Sequence, residues 1–354
     1  MNLNRWELKN YPLKILVDTI YIHSLGGKAL LDFFIKSISS NNLNEYFFLF
    51  DSRLEKKLFE EINEKNYKIL NASESERKTF YKKNNSSFRA IFCFANVPPP
   101  ISLKVDTYIY FHNDLLIDLK QTNFSLLKKS VFLLKRLYIK FINRDNINWI
   151  VQTEQIKYKL SKKIVNNKNR IRVLPFYFDN FKELKNEKQT NSFLYVSGFL
   201  PHKNHDRLIK AFVISAENHK ENIFLNLTLK SEDFIHLMKS FIKIPSNLII
   251  KNLGVLDLEE INLAYEKNQN LIFPSLKESF GLPLIEATLK NLNVITTNLD
   301  YVSYVIEPTL IFDPLDIEDI SNSILKTLTL KRLKKPKLVS KNKVDELIKI
   351  LTSV

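Results

Sequence analysis

Short apolar runs alternate along this chain with stretches of helical period, and the alternation runs once and then begins again. In the first half, Leu13–Val17, Tyr46–Phe50, Phe88–Phe94, Thr107–Phe111 and Trp149–Gln152 read as strands, with helical patterns such as Lys28–Ser39 and Leu126–Ile142 between them. The second series is Phe193–Val196, Phe224–Leu229, Leu248–Lys251, Leu271–Phe273, Val294–Thr296 and Leu310–Phe312, with a helix over Asp206–Ala216. Strands whose apolar residues run on without alternating, and which are separated by helices, imply parallel sheets covered on both faces. The fold class is therefore α/β, with two doubly wound Rossmann-like domains. The polar, charged stretch Asp179–Ser192 carries no strand pattern. It sets the expected boundaries at residues 1–180, a linker over 181–192, and 193–354. Sheets of this kind bind ligands beyond the carboxyl ends of their strands, so the expected site is a cleft between two facing domains.

Glycine is scarce in this chain. Its five glycines are Gly26, Gly27, Gly198, Gly254 and Gly281, and each falls at or just beyond a predicted strand. A chain this poor in glycine keeps it where a side chain does not fit or where φ is positive. Glycine at a helix N-terminus also bares backbone N–H groups that suit phosphate. There is no G-x-G-x-x-G and no Walker A sequence, which argues against dinucleotide and P-loop chemistry.

The segment Pro274–Ala287, PSLKESFGLPLIEA, holds two carboxylates eight positions apart, Glu278 and Glu286, around a Gly-Leu-Pro helix start. Pro283 suits the first turn of a helix. Glu278 then lies in the loop before that helix and Glu286 within it. Carboxylates accept hydrogen bonds from hydroxyls and so suit polyhydroxylated ligands. A second segment, Phe193–His205, FLYVSGFLPHKNH, follows a strand with glycine and then lysine. In the first half, YIYFHN at Tyr108–Asn113 ends a strand in His112.

Together these segments closely resemble the retaining GT-B glycosyltransferases of group 1, which include bacterial α-mannosyltransferases and lipopolysaccharide and O-antigen transferases. The resemblance covers most of the chain and is strongest over Phe193–Pro314. It implies that Glu278 contacts the donor sugar and Glu286 the ribose. Phe280, Gly281 and Leu282 would offer backbone N–H groups to the donor, Gly198 would lie in the phosphate-binding turn, and Lys203 would pair with the pyrophosphate. His112 would sit near the reacting sugar, and Gly26 and Gly27 near the acceptor and the donor phosphates. The expected catalytic set is Glu278, His112 and Lys203. One departure is plain: Phe199 stands where many relatives carry an arginine, and Arg207 is a candidate substitute cation. That loss motivates the alternative of a non-catalytic GT-B scaffold subunit in a glycan-assembly complex.

The resemblance points to a nucleotide-sugar donor, with mannose as the nearest sugar, and to a glycan or lipid-linked glycan acceptor in cell-surface polysaccharide synthesis. No cofactor and no metal are expected. Of the six histidines, His202 and His205 lie close in sequence but lack an obvious third ligand nearby, and there is no H-E-x-x-H or Asp-x-Asp sequence. A formal charge of +15 invites polyanions. No nucleic-acid motif accompanies it, so nucleic acid is not expected. An anionic membrane surface is a better match, through the basic, apolar stretch Leu126–Ile142 and the basic segment Lys326–Lys343. The polar start Met1–Tyr11 and the lack of a long apolar run suggest a cytoplasmic protein, peripheral on the inner face of the membrane. The single cysteine, Cys93, lies in an apolar run and reads as a buried small side chain.

Overall fold

The structure is a computed structural model that describes residues 13–23, 25–38, 42–120, 122, 124–179, 181 and 187–353. The polar start of the chain, Met1–Tyr11, lies outside the described residues. The chain divides into two compact units. The first takes in the chain up to Asp118, then Leu126–Tyr177 and Asn342–Val354; the second is Leu119–Ser125 and Phe178–Lys341.

In the first unit the strands are β1 (Lys14–Asp18), β2 (Tyr46–Asp51), β3 (Tyr67–Leu70), β4 (Phe88–Cys93), β5 (Asp106–Phe111), β6 (Ile147–Val151) and β7 (Ile171–Val173). Among the described residues they form one seven-stranded sheet in the order β3-β2-β1-β4-β5-β6-β7, with parallel pairing throughout. Its helices are α1 (Leu25–Ser37), α2 (Glu74–Asn84), α3 (Leu126–Ile142) and α4 (Glu154–Lys163). The inner strands are apolar on both faces: every residue of β2 is buried, and so are Ile15, Leu16 and Val17 of β1. Trp149 of β6 is fully buried, and its indole donates to Asn143 Oδ1 at 3.0 Å.

The second unit opens with β8 (Gln189–Tyr195) and α5 (His205–Glu217), then β9 (Ile223–Leu227), α6 (Ser231–Met238), β10 (Leu248–Asn252), α7 (Leu258–Lys267) and β11 (Asn268–Phe273). It continues with α8 (Leu282–Leu289), β12 (Asn293–Thr297), α9 (Asp300–Ser303), β13 (Ile306–Glu307), β14 (Leu310–Phe312), α10 (Ile317–Thr329) and β15 (Lys337–Leu338). The six-stranded sheet runs β10-β9-β8-β11-β12-β14, again all parallel. Counted from its own first strand, that is the same 3-2-1-4-5-6 order that β1–β6 follow in the first unit. Order reverses between β1 and β4 and between β8 and β11. At such a switch point the crossovers leave in opposite directions and open a crevice beyond the carboxyl ends.

Three boundaries differ from those expected. Strand β8 begins at Gln189, inside the expected linker, because its first residues pair through polar groups: Ser192 Oγ donates to the Gln189 carbonyl and Asn191 Nδ2 to Glu221. Residues 182–186 of that linker lie outside the described residues. The final helix α11 (Val344–Thr352) joins the first unit rather than the second. It buries Val344, Leu347 and Leu351, while the Lys343 amide donates to the Pro175 carbonyl at 2.8 Å. Leu119–Ser125 goes with the second unit, where Phe124 is buried and lies 6.3 Å from the His202 ring.

Candidate active site

In the second unit the two sequence segments meet at the switch point, one after β8 and the other after β11. Beyond β8 the chain turns through Gly198 and a short 3-10 turn, Pro201–Lys203. Asn204 ends that turn in the left-handed region at φ 62° and spends its side-chain amide on the carbonyls of Pro274 and Pro314, at 3.3 and 2.7 Å. The Leu276 amide donates to the His202 carbonyl at 2.8 Å. These bonds tie the lysine turn to the segment that follows β11. Lys203 Nζ consequently reaches Glu278 Oε1 at 2.6 Å, with both side chains mostly shielded from solvent.

Hydroxyls lie beneath that ion pair. Tyr195 donates to the Lys203 carbonyl at 2.7 Å and lies 3.1 Å from Ser275 Oγ, while Tyr301 donates to the Ser275 carbonyl at 2.8 Å. Burial, with the Glu278 charge adding to it, raises the pKa of both tyrosines, so they stay neutral donors. His205 is buried against Ser197 Oγ at 3.0 Å. Burial first, and the Lys203 charge second, bring its pKa down to about 3, so this imidazole is neutral near pH 7.

Gly281 caps the N-terminus of α8 at φ 84°, where an added Cβ would lie 3.1 Å from Leu284 Cδ1. The next residues, Leu282 and Pro283, enter the first turn, and Phe280 is buried beside them. Glu286, on the same helix, accepts from the buried Tyr265 hydroxyl at 2.6 Å. Burial raises its pKa, and the tyrosine bond only partly offsets this. Glu278 and Glu286 are therefore held differently, one by an ammonium and the other by a phenol.

The match to a known family falls on this unit. Residues 177–344 match the family model described as glycosyl transferases group 1. The match places a group-1 glycosyltransferase domain in the second half of the chain. The O-antigen chain mannosyltransferase RfbU of Salmonella typhimurium is 22% identical over 171 residues. That match spans 47% of this chain and 47% of the relative, so about half of each is compared. Among solved structures, Anabaena HepE in complex with UDP and glucose superposes with a TM-score of 0.65, at 14% identity and 90% coverage of both chains. WaaG, a glycosyltransferase involved in lipopolysaccharide biosynthesis, gives 0.62 at 16% identity over 89% of this chain and 90% of its own. The fold is accordingly GT-B.

The position where the sequence resemblance implies an arginine is aromatic in this chain. The Phe199 ring lies 5.5 Å from His205 and 6.1 Å from His236. Arg207 donates to Asn204 Oδ1 at 3.0 Å and so braces the lysine turn. Among the described residues no three His, Cys, Asp or Glu side chains gather as metal ligands would.

The first unit brings Gly27 and His112 together. Both glycines of that pair, Gly26 and Gly27, lie in the opening turn of α1. A Cβ on Gly27 would stand 3.3 Å from Ile22 Cδ1 and 3.6 Å from His112 Nε2, so close approach rather than positive φ explains this glycine. The His112 amide donates to Asn96 Oδ1 at 2.7 Å, and its ring lies 5.4 Å from that of Tyr110. Burial lowers its pKa to about 4. Sequence reasoning missed the polar network beside it at the β1–β4 switch point. There the buried Arg77 holds Asp18 at 2.7 Å and the carbonyls of Val97 and Pro98 at 2.9 Å, and Tyr81 donates to Asp18 at 2.8 Å. The bonds are internal, which marks this network as structural.

Proposed function

We propose that this glycosyltransferase moves a hexose, with retention of configuration and without a metal, from a nucleotide-sugar to a glycan or lipid-linked glycan. Mannose and an O-antigen or lipopolysaccharide acceptor are the nearest choices, by the names of RfbU and WaaG. The observation that carries the reading is the 2.6 Å contact of Lys203 with Glu278 at the β8–β11 switch point. A cation and a carboxylate meet there, beside the positive end of α8. Donor binding opens the pair: sugar hydroxyls replace the ammonium at Glu278, and the diphosphate replaces Glu278 at Lys203. As the bond from the anomeric carbon to phosphate breaks and the bond to the acceptor oxygen forms, charge grows on the leaving nucleoside diphosphate. Lys203 and the α8 N-terminus stabilise that charge without moving, which is where preorganised electrostatics lower a barrier most. Glu286 receives the ribose. Gly26, Gly27 and His112 serve the acceptor side; His112, neutral near pH 7, orients hydroxyls rather than pairing with phosphate.

The test is a panel of UDP-, GDP-, ADP- and dTDP-sugars with EDTA present, read by thermal shift and by donor hydrolysis. One donor should stabilise the wild type. Glu278→Ala should weaken that response, and Lys203→Met should lower turnover by about 10²–10³-fold. A folded protein that ignores every donor would point instead to the scaffold reading.

A further inference from the structure

A helix on the surface of a sheet ordinarily turns its apolar stripe to the core. Helix α3 does the reverse. Its inward side is thin: Ile139 and Ile142 are buried, Phe132 packs partly on the core, and Arg136 donates to the Ile117 carbonyl at 3.3 Å. Its outward side is a ridge of Leu126, Leu133, Leu137, Phe141, Leu134 and Leu127. At about 3.6 residues per turn these six share an arc of roughly 120°. Phe141 is 86% exposed, Leu126 83%, Leu127 79% and Leu134 65%. Those fractions exclude a stripe that packs against this chain.

Charge decides what covers the ridge. The helix carries five Lys and Arg and no Asp or Glu. On the same wheel Lys129 and Lys140 flank the ridge on one side, and Lys128 and Lys135 lie toward the other. Apolar side chains at the centre with lysines beside them is the arrangement of a helix lying in a bilayer interface, its leucines among the acyl chains and its ammonium groups at headgroup depth. A second copy of the chain would set two all-basic flanks against each other. A nucleic acid would meet apolar side chains rather than cations. No helix of the described residues is long and apolar enough to cross a membrane.

We propose that α3 docks this protein in the plane of an anionic lipid surface. The segment Lys326–Lys343, also basic, is a weaker match: Lys334 pairs with Glu307 at 3.2 Å and Lys335 is bonded to Asn291 and Asn293. The proposal rests on α3 alone and is independent of the sugar chemistry.

Co-flotation of the full chain with vesicles tests it, comparing phosphatidylcholine alone with phosphatidylcholine mixed with phosphatidylglycerol. The wild type should bind the mixed vesicles, more weakly as salt rises, and bind the zwitterionic ones poorly. Leu134→Glu combined with Phe141→Glu should cost at least roughly tenfold in partitioning. Both positions are exposed, so circular dichroism should show an unchanged fold. Lys129→Gln with Lys140→Gln should weaken binding several-fold and flatten its salt dependence. The proposal is overturned if the wild type ignores mixed vesicles or if the glutamate variant binds them equally. It is also overturned if sedimentation shows the ridge buried in a self-associated dimer that those glutamates dissolve.

Discussion

Glu286 answers to two opposed demands. Burial raises its pKa above the ordinary 4.5, while the Tyr265 hydrogen bond favours the ionised form. The sign follows from proton linkage. A folded state that binds this proton more tightly than the unfolded chain loses stability as pH rises through the raised pKa. Glu286→Gln keeps an acceptor for the Tyr265 hydroxyl and removes the charge. The variant should be at least as stable as the wild type at pH 7.5, with the gain shrinking in acid. Donor affinity should fall roughly tenfold or more, the usual cost of losing a hydrogen bond to a charged group. Melting curves and donor titrations read the two effects separately, and a loss of both would sink the ribose role. His205 runs the other way. Its folded pKa lies near 3, against 6.5 unfolded, so stability is lost as pH falls below about 6.5, where only the unfolded chain takes up the proton. Between pH 6.5 and 4.5 the wild type should lose on the order of 2 kcal/mol more than His205→Asn in urea unfolding. Parallel pH profiles would show that His205 is not held neutral.

At the scale of elements, the α8 entry turn sets where both glutamates stand. Gly281→Ala places a Cβ in the left-handed region, at a cost of about 1–2 kcal/mol, and against Leu284. Gly254 offers the control: its φ is 82° but nothing lies within 4 Å of an added Cβ. Both alanine variants should melt lower, and only Gly281→Ala should also lose donor affinity. Equal affinities would mean that the turn does not position the carboxylates. The elements also show what local pattern can carry. Central strands such as YFFLFD and FRAIFC are legible because both faces are buried and their apolar runs are unbroken. The edge strands Tyr67–Leu70 and Ile171–Val173 are not, since they are half exposed or three residues long. Helix α10 hides Ile320 and Ile324 among buried Ser321, Ser323 and Thr327, so its stripe reads as polar. The site divides in the same way. Lys203, Glu278, Gly281 and Glu286 sit in compact segments and could be named. Tyr265, which holds Glu286, and Ser275, which meets Tyr195, are paired across 21 and 80 residues, and no local spacing announces such partners.

At the scale of the whole molecule, the path of the chain links the units in a way that its order along the sequence hides. The last residues, Asn342–Val354, complete the first unit after the second has been built. Helix α11 buries Val344, Leu347 and Leu351 there, Asn342 Nδ2 donates to the Tyr177 carbonyl at 2.9 Å, and Arg89 donates to the Thr352 carbonyl at 3.0 Å. Three buried aliphatic side chains contribute on the order of 5 kcal/mol. A chain ending at Lys341 should therefore lose stability in its first unit, while the second, with Lys203, Glu278 and Glu286, keeps its own core. Cys93 supplies a local reporter of the difference. It is the only cysteine, buried in β4, and burial together with the Asp18 charge raises its pKa to about 12, so the folded first unit shields an unreactive thiol. Thiol labelling should be slow in the full chain and at least tenfold faster in the truncated one, while donor-induced protection of the second unit from proteolysis persists. Unchanged labelling would mean that α11 adds little to the first unit. Loss of donor protection along with fast labelling would mean that the two units fold as one.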